Sequence, residues 1–156
     1  MKTLVLGIGN TILGDDGVGI YAAQELAARL DDETITVKDV GVDGLNLLEH
    51  ILDYDRLVVI DAIITEGGRP GDIYRLKPEA ISGTPGGGLS PHHFNLATTL
   101  EIGNRLFPDE MPQEVTIFAV EAREVKDITE EMTEAVRKAL PRVVDMVFEE
   151  LTTPAK

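Results

Sequence analysis

The chain has 156 residues, 43% of them apolar, no cysteine and a formal net charge of −14. That length suits one domain burying roughly two thirds of its unfolded surface, and the missing thiols exclude disulfides, thiolate catalysis and thiolate metal sites. The acidity argues against nucleic acid and anionic membrane as partners, since both reward clustered Lys and Arg. No apolar run approaches the ~20 residues that span a bilayer, and Met1 to Gly7 reads as a strand rather than a signal peptide, so the expected location is the cytoplasm.

Thr3-Leu4-Val5-Leu6 is a short apolar run typical of a buried strand. It feeds GIGNTILGDDGVG, where Gly7, Gly9 and Gly14 permit a sharp turn and close backbone approach. Val18, Ile20, Tyr21, Leu26 and Leu30 then predict a helix from about residue 17 to residue 30. The dinucleotide fingerprint G-x-G-x-x-G fails at its third glycine, and two carboxylates at a helix start, Asp15 and Asp16, would repel a phosphate. Tandem acids there suggest one helix cap, assigned to Asp15, and one working group, Asp16.

Thr34 to Val37 reads as a second strand ending at Lys38-Asp39, and Val40 to Gly44 as the loop beyond it. Leu45, Leu47, Leu48, Ile51 and Leu52 mark a second helix, with His50 near its C-terminus in a structural or surface role. Arg56 to Ala62 is the clearest strand, apolar throughout and so central in a parallel sheet, yet it ends on Asp61. Asp72 to Leu76 reads as a short edge strand.

From Lys77 to Leu89 the chain is rich in Pro, Gly and Ser, and it delivers Ser90-Pro91-His92-His93-Phe94. Ser90 is a predicted N-cap, Pro91 the first helical residue, and Phe94, Ala97, Leu100, Ile102 and Leu106 the apolar positions of the helix. An imidazolium at a helix start is disfavoured, whereas a neutral imidazole offered as a ligand is not. Neighbouring residues diverge by about 100° around a helix, so one of His92 and His93 is expected to face the site. Glu114 to Val120 forms the last strand, closing on Glu121. A final helix is expected to open near Asp127 to Glu130, capped by Thr129, with Met132, Val136, Leu140, Val143, Val144 and Val147 buried and Pro141 kinking it.

This succession predicts an α/β protein, a three-layer α/β/α sandwich with a mostly parallel, roughly five-stranded twisted sheet. Residues 1–151 are expected to form one domain and residues 152–156 a tail. Asp16, Asp61 and one of the paired histidines fall on the C-terminal rim of the strands, where open α/β sheets bind ligands. Two carboxylates and an imidazole suit a divalent transition metal: zinc, nickel, cobalt, manganese or iron. Asp39 ends the second strand on the same rim, where it would support the ligands or act as a general base.

The segments LVLGIGNTILGDDGVGI, VKDVGVDGL, LVVIDAI and SPHHF, in this order and spacing, resemble the hydrogenase maturation endopeptidases over nearly the whole chain. These proteases remove the C-terminal extension of the large subunit of [NiFe] hydrogenases. The resemblance implies a single α/β/α domain and a nickel site formed by Asp16, Asp61 and His92, with cadmium or zinc as surrogates. It also implies an important role for Asp39. The nickel would be the substrate's own, already inserted in the large-subunit precursor and read as a signal that cleavage can proceed. The expected partner is that precursor, with no nucleic acid, no membrane insertion and a monomeric enzyme. Two rival readings share the fold class: a nucleotide-using enzyme, disfavoured by the broken fingerprint, and a nickel-binding chaperone without proteolytic activity.

Overall fold

A computed structural model describes residues 1–41, 47–80, 91–123 and 128–153, with the side chains of residues 91–95 outside the description. Five strands, β1 (Thr3–Ile8), β2 (Ile35–Val40), β3 (Arg56–Ile63), β4 (Ile73–Leu76) and β5 (Glu114–Glu121), form one sheet in the order β2-β1-β3-β5-β4. All pairings are parallel except β4 with β5, so the antiparallel edge strand is the predicted short one. β3 lies between β1 and β5 with Leu57 to Ile60 fully buried, as its unbroken apolar run requires.

The pleat sends alternate residues to opposite layers. Val5, Val58, Ile60, Phe118 and Val120 face α1 (Val18–Arg29) and α4 (Glu134–Thr152) through Val18, Leu26, Val136, Val143 and Val147. Leu4, Leu6, Leu57, Val59 and Ile117 face α2 (Leu47–Ile51) and α3 (Pro91–Leu106) through Leu47, Ile51, Leu96 and Leu100. The sandwich is therefore three-layered, and among the described residues no helix is long and apolar enough to cross a membrane.

Four details depart from the sequence reading. A 3₁₀ turn, Gly14–Gly17, precedes α1, whose N-cap is Gly17 with no side-chain cap bond; Asp15 does not cap this helix. In α3, Ile102 and Leu106 are exposed, and the buried face is Leu96, Leu100 and Gly103. The last helix begins at Glu134 behind Thr133, because Thr129 is drawn into a parallel β-bridge with Leu13. Met132 thus precedes that helix, which continues through Pro141 although the ring leaves the Arg137 carbonyl without its helical donor. The expected N-cap Ser90, together with Leu45 and most of the glycine-rich loop, lies outside the described residues.

Candidate active site at the C-terminal rim

The glycines of the first motif are spent on contact between α1 and the sheet. A Cβ on Gly19 would lie 2.3 Å from the Ile60 carbonyl oxygen and 2.5 Å from that of Ile8. One on Gly7 would lie 2.3 Å from the Gly19 oxygen. The start of α1 therefore rests directly on the ends of β1 and β3, the residue before Asp61 included. Gly9, at φ +158°, is extended; a Cβ there would meet the Asp16 carbonyl oxygen, which accepts the Asn10 N–H at 3.3 Å. Asp16, half-buried, is held above the end of β1 by this backbone geometry.

Among the described residues three carboxylates are buried, Asp15, Asp61 and Glu121, and all three sit at the C-terminal rim. Burying an anion is costly unless something compensates it, so each needs an account. Asp15 accepts the Thr133 N–H at 2.6 Å, the Thr133 hydroxyl at 2.9 Å and the Arg123 N–H at 2.9 Å. It binds the turn carrying Asp16 to the connection between β5 and α4. Glu121 accepts the Thr65 N–H at 2.8 Å, the Thr65 hydroxyl and the Tyr74 hydroxyl at 3.0 Å. It fastens the loop after β3 to the edge strand. Burial, followed by this donation to Glu121, pushes the Tyr74 phenol above its ordinary value.

Asp61 is fully buried, and its Oδ1 accepts the Ala62 N–H at 2.8 Å. It follows Leu57 and Val59 in the pleat, so it points to the layer of α2 and α3. α3 returns the chain to β5 and ends near the opposite rim, where the Gln113 N–H donates to the Asp55 oxygen at 3.0 Å. With 16 residues it spans about 24 Å, so its first turn, bearing His92 and His93, reaches the rim near Asp61, which lies two residues before the end of β3 rather than closing it. The two imidazoles lie outside the described side chains, and with them the choice between His92 and His93. Among the described side chains no three His, Asp or Glu groups converge to hold a metal.

Asp39 stands apart. It pairs with Gly7 in the sheet, but with Ile35 and Val37 it faces the α1 layer, opposite to Asp61. Its carboxylate is exposed and accepts from Gln24 Nε2 at 3.5 Å. The structure brings Asp16, Asp61 and the start of α3 to one rim and turns Asp39 to the other side of the sheet. Sequence patterns assign Asp15 only a local cap and Glu121 no role. The available signal was that β5, like β3, closes an apolar run on an acid.

This fold is shared with hydrogenase maturation endopeptidases of known structure. The chain superposes on the hydrogenase maturating endopeptidase HybD from Escherichia coli with a TM-score of 0.84 and 26% identity, covering 97% of this chain and 92% of that one. It superposes on the [NiFe] hydrogenase maturation protease HybD from Thermococcus kodakarensis with a TM-score of 0.79 and 25% identity, covering 98% and 100%. In sequence it is 31% identical to the hydrogenase 2 maturation protease of E. coli strain K12 over 77% of this chain and 73% of that protein. The HycI family of hydrogenase maturation proteases matches residues 20–150. The chain belongs to this family.

Proposed function

We propose that this protein is the endopeptidase that removes the C-terminal extension of a [NiFe] hydrogenase large-subunit precursor once nickel has been inserted. The observation that carries the reading is Asp61, a fully buried carboxylate in the C-terminal half of the central strand, two residues before its end, in a member of a peptidase family. The donor set fits nickel: two carboxylates, Asp16 and Asp61, and one imidazole, His92, make an oxygen- and nitrogen-rich half-shell that leaves positions for the precursor's own ligands. Nickel here is part of the substrate. Holding it at the rim would fix the scissile bond in the crevice, and such positioning is a large share of the catalytic task.

Cleavage adds water across the peptide bond, giving a new C-terminal carboxylate and a free amine. The attacking water needs a base, and the acids of the rim are this chain's own candidates. Asp39, on the far side of the sheet, fits a supporting role through Gln24 and α1 better than metal ligation. The cytoplasmic location expected from the composition and the monomeric state implied by the resemblance accord with a partner met before assembly.

The test is mass spectrometry of nickel-loaded and nickel-free precursor after incubation with the unaltered protein and with Asp61→Asn and His92→Ala. Loss of a C-terminal peptide only with nickel and the intact residues is expected. Nickel-dependent binding of the precursor without any cleavage would move the reading to a chaperone.

A further inference from the structure

The rim carries a second feature that the ligand set does not use. Ile12 is 45% exposed, Leu13 36% and Ile128 77%, although all three are large apolar side chains. Single exposed apolar residues are ordinary, but these lie on two segments paired through their backbones. The Thr129 N–H donates to the Ile12 oxygen at 2.8 Å, the Gly14 N–H donates to the Thr129 oxygen at 2.8 Å, and Leu13 bridges Thr129 in parallel. That register sets Ile12 beside Ile128.

We propose that this ledge docks the stretch of the precursor next to the scissile bond, in extended form and by apolar side chains. The proposal rests on the endopeptidase reading above and names the substrate surface that reading requires. Three observations select this occupant. The first is position: Leu13 directly precedes the 3₁₀ turn that holds Asp16, so a chain lying on Ile12 and Ile128 leads into the crevice.

The second is rigidity. Two residues beyond Leu13, buried Asp15 ties the ledge to Thr133 and Arg123 through three bonds of 2.6 to 2.9 Å. A pre-ordered surface loses little entropy when a flexible chain binds it. The third is charge. No Lys or Arg occurs between residues 3 and 28 or between residues 128 and 136, and exposed Glu130, Glu131 and Glu134 and half-buried Asp16 outnumber the one exposed cation tied to the ledge, Arg123. The complementary segment has apolar side chains flanked by Lys or Arg rather than by Asp or Glu. Three side chains also offer far less than the ~800 Å² per partner of a standard stable interface, which suits a strand of substrate better than a second copy of this chain.

The test is steady-state cleavage of nickel-loaded precursor by the double variant Ile12→Ser/Ile128→Ser, beside the unaltered protein. KM is expected to rise about tenfold with kcat held within about threefold, the signature of lost uniform binding. Because both side chains are exposed, the melting temperature should barely move, which separates docking from folding. An unchanged KM overturns the docking surface while leaving the endopeptidase reading intact. A concentration-dependent dimer that the double variant abolishes, with KM unchanged, assigns the ledge to self-association and also overturns it. No cleavage by the unaltered protein overturns both readings.

Discussion

The Asp15 carboxylate accepts the backbone N–H of Thr133 at 2.6 Å across 118 residues of sequence, joining the turn that holds Asp16 to the residue that opens α4. The same group accepts two more bonds, from the Thr133 hydroxyl and the Arg123 N–H, with no exposure to solvent. Asp15→Ala would take the acceptor from two part-buried N–H groups and the Thr133 hydroxyl, and is expected to cost about 2 kcal/mol of unfolding free energy. Asp15→Asn keeps the size and one acceptor oxygen and should cost clearly less. Urea denaturation of the three proteins measures both. A loss below about 1 kcal/mol for the alanine variant would mean that the freed N–H groups find other partners.

Gly19 is where α1 comes closest to the sheet. A methyl group there would stand 2.3 Å and 2.5 Å from two strand carbonyl oxygens, both backbone and neither able to swing aside. Gly19→Ala must therefore lift the helix start away from β1 and β3, at a cost of roughly 3 kcal/mol or loss of folding. Gly41→Ala is the control, since a Cβ there meets nothing within 4 Å. In thermal melts Gly19→Ala should fall by several degrees and Gly41→Ala should stay near the parent. Equal melting temperatures would contradict the close approach.

The positions of these groups were unequally visible in the chain. β3 could be read as central because Leu57 to Ile60 is apolar on both faces, and the short β4 could be read as an edge strand. Asp16 and Asp61 were legible because each interrupts a local pattern, a glycine turn and an apolar strand. The role of Asp15 was not, since its partners lie more than 100 residues away and two of the three are main-chain donors, which leave no mark in a sequence. Thr129 misled for a related reason: a hydroxyl followed by acids signals a helix start, but pairing with Leu13 takes its backbone first. Asp39 lies near the end of its strand as Asp61 does, and only the register, odd positions toward α1 on β2, separates their directions.

The Tyr74 hydroxyl donates to buried Glu121 at 3.0 Å, and burial with that bond raises the phenol above 10.0. A native value above the unfolded one means that the folded protein holds this proton more tightly. The resulting stability is complete below pH 10 and is lost as pH climbs through the raised native value. Tyr74→Phe should cost about 1 kcal/mol near neutrality, the worth of one hydrogen bond, and should remove this alkaline component. Melts from pH 8 to about pH 11.5 would show the parent and variant converging. Parallel curves would place the alkaline loss elsewhere.

If nickel belongs to the precursor and not to the protease, stripping the protease of metal changes nothing. The two carboxylates and one imidazole assigned to it, Asp16, Asp61 and His92, leave coordination positions that the precursor's own ligands would fill. Protein treated with a chelator and then desalted should cleave nickel-loaded precursor at an unchanged rate, and nickel added to it alone should have no effect. Asp61→Asn exchanges an anionic donor for a neutral amide at the buried end of β3, and should lower cleavage by about a hundredfold or more. Its fold can be checked by the unchanged far-ultraviolet circular dichroism spectrum. Activity that vanished on chelation and returned with added metal would make the metal resident, and would turn Asp16, Asp61 and His92 from a reader of substrate into a cofactor site.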